Sequence, residues 1–354
     1  MKFRIKPAPF QRSTKRTTKG IMLELSLVLV VVWFVAILMN YTLMGEAEGT
    51  KTILMGDVAL VAAFVTDVVT ALIIKKNVWQ YFVGSYSYVT ALIFVLTLPV
   101  TVSYYAIVVG IVLAIVFGKI VFGGFGYNPI NPAGLGRIIV ALSFSLAITG
   151  VPGLVSDATT SATITSALNW KDGILPDGFS LGRLFLGNYA GAIGETSALT
   201  LLIAGIYLSI RKIADPRLMV SYTVSAFLIT LFMGLAFGVA NPFVYGITHI
   251  LVGGLAFGAV FMVTDPVTTP TSPMGKIIFG LGAAAITILI RVSGALPEGV
   301  VFSIVFMNLL TPIIDGLVKG KTTDKIGQRW GVILALLVLA IGINIGVAFL
   351  GGVA

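Results

Sequence analysis

The sequence predicts an all-α polytopic membrane protein of about ten or eleven transmembrane helices, built as two repeated five-helix units with broken helices. Three observations predict it: apolar stretches near spanning length recur along the chain, only 10% of residues are charged against 57% hydrophobic, and Lys and Arg gather in alternate connections. Soluble domains carry about 25% charged residues. A hydrocarbon core about 30 Å thick takes roughly 20 apolar residues per helix.

The stretches fall in order at about 21–44, 53–74, 87–103, 104–122, 134–150, 193–211, 217–239, 246–264, 275–291, 299–315 and 330–350. Residues 1–20 form a basic arm, with Lys2, Arg4, Lys6, Arg12, Lys15, Arg16 and Lys19 ahead of the first stretch. The arm has no small-residue cleavage site before an apolar run long enough to span, so that run reads as a first helix and not a removed signal. Lys75 and Lys76 follow the second stretch. Arg211, Lys212 and Arg217 follow the sixth, and Lys319, Lys321, Lys325 and Arg329 precede the last. Cytoplasmic loops carry the excess of Lys and Arg, so the N-terminus is expected in the cytoplasm and loop 151–192, poor in both, outside it. The net charge of +9 therefore answers to the lipid bilayer and not to nucleic acid. Pro99 interrupts the third stretch. Gly234 with Gly238, Gly254 with Gly258 and Gly342 with Gly346 are spaced as small residues that let helices approach.

An internal repeat underlies the five-plus-five reading. Thr97-Leu-Pro-Val-Thr101 recurs as Thr264-Asp-Pro-Val-Thr268, and Gly126-Tyr-Asn-Pro129 is echoed by Gly294-Ala-Leu-Pro297 at a similar offset. Five spans per half would invert one half relative to the other, as in many transporters. The expected divisions are a first repeat over 21–150, an extracytoplasmic loop over 151–192, a second repeat over 193–316, and a basic loop with a final helix over 317–354.

Three polar segments interrupt the apolar pattern. Tyr127-Asn-Pro-Ile-Asn-Pro-Ala-Gly-Leu-Gly136 carries two Asn-Pro steps, which disfavour helix at Asn128 and Asn131; a helical run is expected from about Arg137. Thr264-Asp-Pro-Val-Thr-Thr-Pro-Thr-Ser-Pro-Met-Gly-Lys276 holds three prolines with Asp265 and Thr268. Gly194-Glu-Thr-Ser-Ala-Leu199 opens the sixth stretch, where Glu195, Thr196 and Ser197 suit either a helix cap or a bound cofactor. Broken backbone at membrane depth is tolerated where it lines a cavity or is buried in protein. Together the three segments suggest a cofactor-lined cavity, although each taken singly reads rather as an ordinary loop between spans.

Among charges inside apolar stretches, Asp67 is the stronger candidate for an ion path, because burying a charge is costly. A salt bridge to Arg137 or Arg291 is the equal alternative. Asp57 lies ten residues away, about 15 Å along a helix axis, so the two cannot form one compact site. Glu24 reads as interfacial, Asp315 as a cytoplasmic helix end, and His249 as a packing residue. The chain has no cysteine and one histidine, which excludes thiolate-ligated iron–sulfur clusters and leaves no metal site to name.

The hydroxyl-rich run Asp157-Ala-Thr-Thr-Ser-Ala-Thr163 resembles the Asp-x-x-(Ser/Thr)-Gly-Ala-Thr signature at which flavin transferases attach FMN through a phosphoester to the last threonine. Ser161 stands where that signature usually has glycine. With the Asn-Pro run, the Glu-Thr-Ser segment and the Asp-Pro-Val-Thr segment in the same order, nearly the whole chain from about residue 20 resembles one family. It comprises the D subunit of Rnf-type electron transport complexes and the B subunit of the sodium-pumping NADH:quinone reductase. The short basic arm is closer to the former.

The resemblance implies a subunit of an ion-translocating ferredoxin:NAD+ oxidoreductase, coupling electron relay to Na+ or H+ movement, with no complete active site and no catalytic residue of its own. It implies covalent FMN on Thr163, with Asp157, Thr160, Ser161 and Ala162 as the attachment motif, and a second, non-covalent flavin such as riboflavin. Partner subunits would hold the iron–sulfur clusters and further flavin, and a flavin transferase would mature the chain. Asn128, Asn131, Glu195, Thr196, Ser197, Asp265 and Thr268 are the expected cavity lining. The rival is a non-redox channel or transporter for a small solute.

Overall fold

The computed structural model describes residues 16–144, 180–187, 191–195, 197–293, 299–318 and 326–350. The first two helices form a hairpin, α1 (Thr18–Leu43) and α2 (Glu46–Ile73). Gly45 makes the turn at φ +103°, a conformation that glycine adopts without steric cost. Close approach is enforced from α2: a Cβ on Gly56 would overlap the Trp33 ring, and one on Gly49 the Tyr41 ring. Asn40 donates to Thr52 Oγ1 at 2.8 Å across the same seam.

Short α3 (Val78–Ser85) turns at Tyr86, φ +53°, into α4 (Ser87–Leu96). Nearly every residue of α4 is buried, because it runs through the middle of the first half against α1, α2 and two later helices. The chain leaves α4 three residues before Pro99. Next come α5 (Tyr104–Ile115), which continues through a π-helical turn at Val116–Ile120, and α6 (Pro132–Ser143). The second half contains α7 (Leu181–Leu186), a 3-10 turn at Ile193–Glu195, α8 (Ala198–Ile210), α9 (Pro216–Ala236) and α10 (Pro242–Leu251). Short α11 (Leu255–Phe257) runs into a second π turn at Gly258–Met262, followed by α12 (Pro273–Ser293), α13 (Gly299–Val318) and α14 (Ile326–Leu350). The halves meet where α6 packs on α13 and α8 on α1.

Among the described residues, six helices are long and apolar enough to cross a membrane, one bent pair (α10 with α11 and its π turn, 65°) could serve as another, and four apolar helices are shorter. Each apolar stretch read from the sequence contains one of these elements, so the chain is a polytopic all-α membrane protein. Two expectations need correction. α6 begins at Pro132 and not near Arg137, because Asn131 accepts from Gly134 N–H as its cap and proline is preorganised for a first helical position. Gly342 and Gly346 meet no neighbour within 4 Å, so they are not close-packing positions here, whereas Gly234 lies against Tyr245 and Pro242, Gly254 against Glu195 and Gly258 against Val300.

Candidate functional site

The two copies of the Thr-x-Pro-Val-Thr sequence each follow a helix end, one after α4 and one after the second π turn. The second copy and the Asn-Pro break come together. Asn308, buried on α13, accepts from the Asn131 backbone N–H at 3.1 Å and donates to the Thr268 carbonyl at 3.2 Å. Thr311 also donates to that carbonyl, at 2.9 Å. Asp265 shapes its own break by accepting from Val267 N–H at 3.0 Å, and Asp315 accepts from Thr271 N–H at 3.2 Å. Asp315 thus holds the proline-rich segment as well as ending a helix.

Between these breaks lies a cavity of about 100 Å³. Asn128, Asn131 and Asp265 line it, with the aromatic rings of Tyr86, Phe125 and Phe261 and the side chain of Lys119. Tyr86 and Phe125 meet edge to face, ring centres 4.6 Å apart. The N-terminal residues of α1 and the turn after α8 close the same end of the bundle. Glu24 lies nearby, paired with Arg211 and Arg16 and accepting from Tyr207 at 2.8 Å, as an interfacial residue would be.

Asp67 is buried on α2. It accepts hydrogen bonds from Ser85 Oγ at 2.5 Å and Ser87 Oγ at 2.9 Å. The cation within its electrostatic reach is Lys119, not Arg137 or Arg291. Lys119 lies in the first π turn, buried, and donates to the Ser85 carbonyl at 2.9 Å and to Thr90 Oγ1 at 3.2 Å. Arg291 is committed elsewhere, donating to the carbonyls of His249, Val252 and Gly253 at 2.6–2.8 Å, and so holds the bend between α10 and α11.

The third polar segment stands apart from the cavity. Ile193 N–H donates to the Leu98 carbonyl at 2.9 Å, which docks the 3-10 turn on the first Thr-x-Pro-Val-Thr copy. Ser197 caps α8 by accepting from Thr200 N–H at 3.3 Å. Glu195 is buried against Gly254, where a Cβ would come within 2.7 Å of its carboxylate. Of the predicted lining, the cavity therefore gathers Asn128, Asn131 and Asp265, has Thr268 tied beside it through Asn308, and excludes Glu195 and Ser197. Asp157, Thr160, Ser161, Ala162, Thr163 and Thr196 lie outside the described residues. No three of His, Asp and Glu among the described residues gather as a metal site.

Sequence reasoning missed Lys119 and Asn308. Each is a lone polar residue in an apolar run, and that isolation was the available signal.

A family model described as the NQR2, RnfD, RnfE family matches residues 4–324. The chain belongs to this family. Among its relatives, the D subunit of the proton-translocating ferredoxin:NAD(+) oxidoreductase complex of Clostridium ljungdahlii is 35% identical over 286 residues, covering 74% of this chain and 84% of that one. The D subunit of the Na(+)-translocating ferredoxin:NAD(+) oxidoreductase complex of Acetobacterium woodii is 32% identical over 293 residues, 81% of this chain and 87% of that one. The B subunit of the Na(+)-translocating NADH-quinone reductase of Chromohalobacter salexigens is 37% identical over 235 residues, 64% of this chain but only 57% of that longer protein.

Proposed function

We propose that this chain is a membrane component of an ion-translocating oxidoreductase complex of the ferredoxin:NAD+ type. It relays electrons through FMN esterified to Thr163 and couples the relay to movement of Na+ or H+. The observation that carries the reading is family membership combined with the run Asp157 to Thr163. The ferredoxin:NAD+ assignment is favoured over the quinone reductase because 84% and 87% of the two ferredoxin:NAD(+) relatives are covered, against 57% of the quinone-reductase relative.

FMN would supply one- and two-electron transfer, which side chains in a bilayer cannot; the protein supplies position and electrostatics. The Thr163 oxygen bonds to the flavin phosphate as a tether. Asp157, Thr160, Ser161 and Ala162 present that threonine to a flavin transferase. A second, non-covalent flavin such as riboflavin would sit between the two breaks only after they part, because the cavity of about 100 Å³ is smaller than the roughly 300–1,000 Å³ of a small-molecule site. The cavity's aromatic walls accept a flat ring, and the amides of Asn128 and Asn131 offer donors and acceptors at its edge. Asn308 fixes both breaks and thereby sets the width between them.

Iron–sulfur and nicotinamide chemistry would belong to partner subunits. By the distribution of Lys and Arg, the cavity end of the bundle faces the cytoplasm and loop 151–192 faces the opposite side. The proposed plan is two inverted five-helix units with a final helix.

The test is flavin fluorescence of the chain in a denaturing gel, after production with a flavin transferase. Fluorescence that survives denaturation and vanishes in Thr163→Val supports the relay. An unmodified 157–163 peptide in the natively made complex would instead favour a non-redox channel.

A further inference from the structure

On the outer surface of the bundle, α1 and α8 part to leave a groove of about 530 Å³. Leu27, Val31 and Ile203, each more than half exposed, form its walls, and the buried Val32 and Ala204 its floor. On α1 the groove runs from Glu24 to Val35. That is about 16 Å along the helix axis, close to half of a hydrocarbon core about 30 Å thick. It therefore has the depth of one leaflet. A spanning helix of a partner subunit would lie along both leaflets, whereas a lipid tail occupies one.

The polar end of the groove carries charge. Arg211 Nη2 donates to the Glu24 carboxylate at 3.2 Å, and Arg16 lies 3.8 Å from the same carboxylate. Arg16 also donates to the Arg211 carbonyl. Two guanidinium groups thus share one carboxylate, which orients them, and the trio carries a net positive charge. Residues 16–24 and 207–217 together hold five basic residues (Arg16, Lys19, Arg211, Lys212 and Arg217) against Glu24 and Asp215, and Asp215 is paired with Lys276. The surplus outweighs Glu24, so the mouth of the groove attracts anions.

We infer that this groove binds an acidic phospholipid of the cytoplasmic leaflet, with one acyl chain between α1 and α8 and the phosphate at the Arg16–Arg211 pair. The apolar walls take hydrocarbon, and the planar fork of a guanidinium matches phosphate oxygens. Lys and Arg mark this end of the bundle as cytoplasmic, the side on which acidic lipids attract basic segments. A lipid seated there braces the contact of α8 with α1, where the two halves meet. The site stands whether or not Thr163 carries flavin.

The test is photocapture in the purified complex, with p-benzoylphenylalanine in place of Ile203 and, as a control, in place of Leu339, an equally exposed residue on α14. The complex is placed in nanodiscs of equal parts dioleoylphosphatidylglycerol and dioleoylphosphatidylcholine, and adducts are identified by mass spectrometry. Capture at position 203 should favour phosphatidylglycerol by at least about fivefold, the preference given by one net basic group near an acidic surface. Capture at position 339 should follow the mixing ratio. Arg16→Gln should reduce the preference at 203, and Arg16→Gln with Arg211→Gln should bring it close to the mixing ratio. Val31→Trp, which fills the groove and leaves both arginines in place, should suppress lipid capture at 203 severalfold.

A peptide of a partner subunit as the main adduct at 203 would overturn the site, and so would equal capture of the two lipids. A preference that survives the double substitution would refute the role of the arginine pair. Should the double variant not assemble, Arg16→Gln, which leaves the bond between Arg211 and Glu24 in place, decides: an undiminished preference refutes the site.

Discussion

Replacing Asn308 with alanine should be among the most damaging single changes available in the half of the bundle that holds the cavity. Asn308 is 1% exposed and is the side chain that receives the Asn131 N–H at 3.1 Å. Asn308→Ala removes the side-chain acceptor of that buried N–H, at a cost of about 1–3 kcal/mol. The Thr268 carbonyl is cushioned because Thr311 still donates to it at 2.9 Å. Thr311→Val alone should therefore be mild. In Asn308→Ala with Thr311→Val the same carbonyl loses both donors, and the double variant should exceed the sum of the singles by about 1 kcal/mol, within the range for residues sharing a partner. The assay is equilibrium unfolding in mixed micelles by titration with a denaturing detergent, read by helical circular dichroism. An Asn308→Ala variant within about 0.5 kcal/mol of wild type, the level of an inert surface change, would refute the claim that this residue holds the two breaks together. Strict additivity in the cycle would refute the shared carbonyl.

Gly56→Leu should separate α1 from α2, because even a Cβ at that position would overlap the Trp33 ring; overpacking costs about 1–3 kcal/mol, and a shift in Trp33 fluorescence should accompany the loss. Gly254→Ala should be destabilising on two grounds, its φ of +70° and the Glu195 carboxylate 2.7 Å from the new methyl; an unchanged melting temperature would refute the close packing of the 3-10 turn on the α10–α11 bend. Asp215 caps α9 and pairs with Lys276 at 2.6 Å. Partial burial pushes its carboxyl up, but the Lys276 bond and the Arg217 N–H outweigh this and hold it below its ordinary value. A carboxyl depressed on folding contributes stability that is present above its unfolded pKa of about 3.9 and is lost as pH falls through the folded value. Stability measured from pH 6 downward should therefore fall less steeply in Lys276→Met than in wild type, and parallel profiles would refute the pairing.

Sequence by itself settled what depends on neighbours along the chain. The apolar stretches, the basic arm and the interruptions at proline could be read because hydropathy, charge bias and the steric rules of X-Pro bonds act locally. Ser197 was legible as a potential cap for the same reason, and Asn131 capped the helix that its Asn-Pro step announced, only five residues earlier than the glycines had suggested.

What the chain could not declare was which interruptions share a wall. Asn131 and Asn308 are 177 positions apart, and no local rule pairs them. Three polar breaks looked like the lining of one cavity; packing brought two together and docked the third on the first Thr-x-Pro-Val-Thr copy through Ile193, with Glu195 against Gly254. Asp67 was recognisable as a buried charge, but its surroundings, Ser85 and Ser87 on either side of the turn at Tyr86 and Lys119 in a π-helical turn, are decided by how α2, α4 and α5 stack. Local chemistry determines where the backbone must stop being helical. Only the three-dimensional packing of distant segments decides which of the freed polar groups face one another.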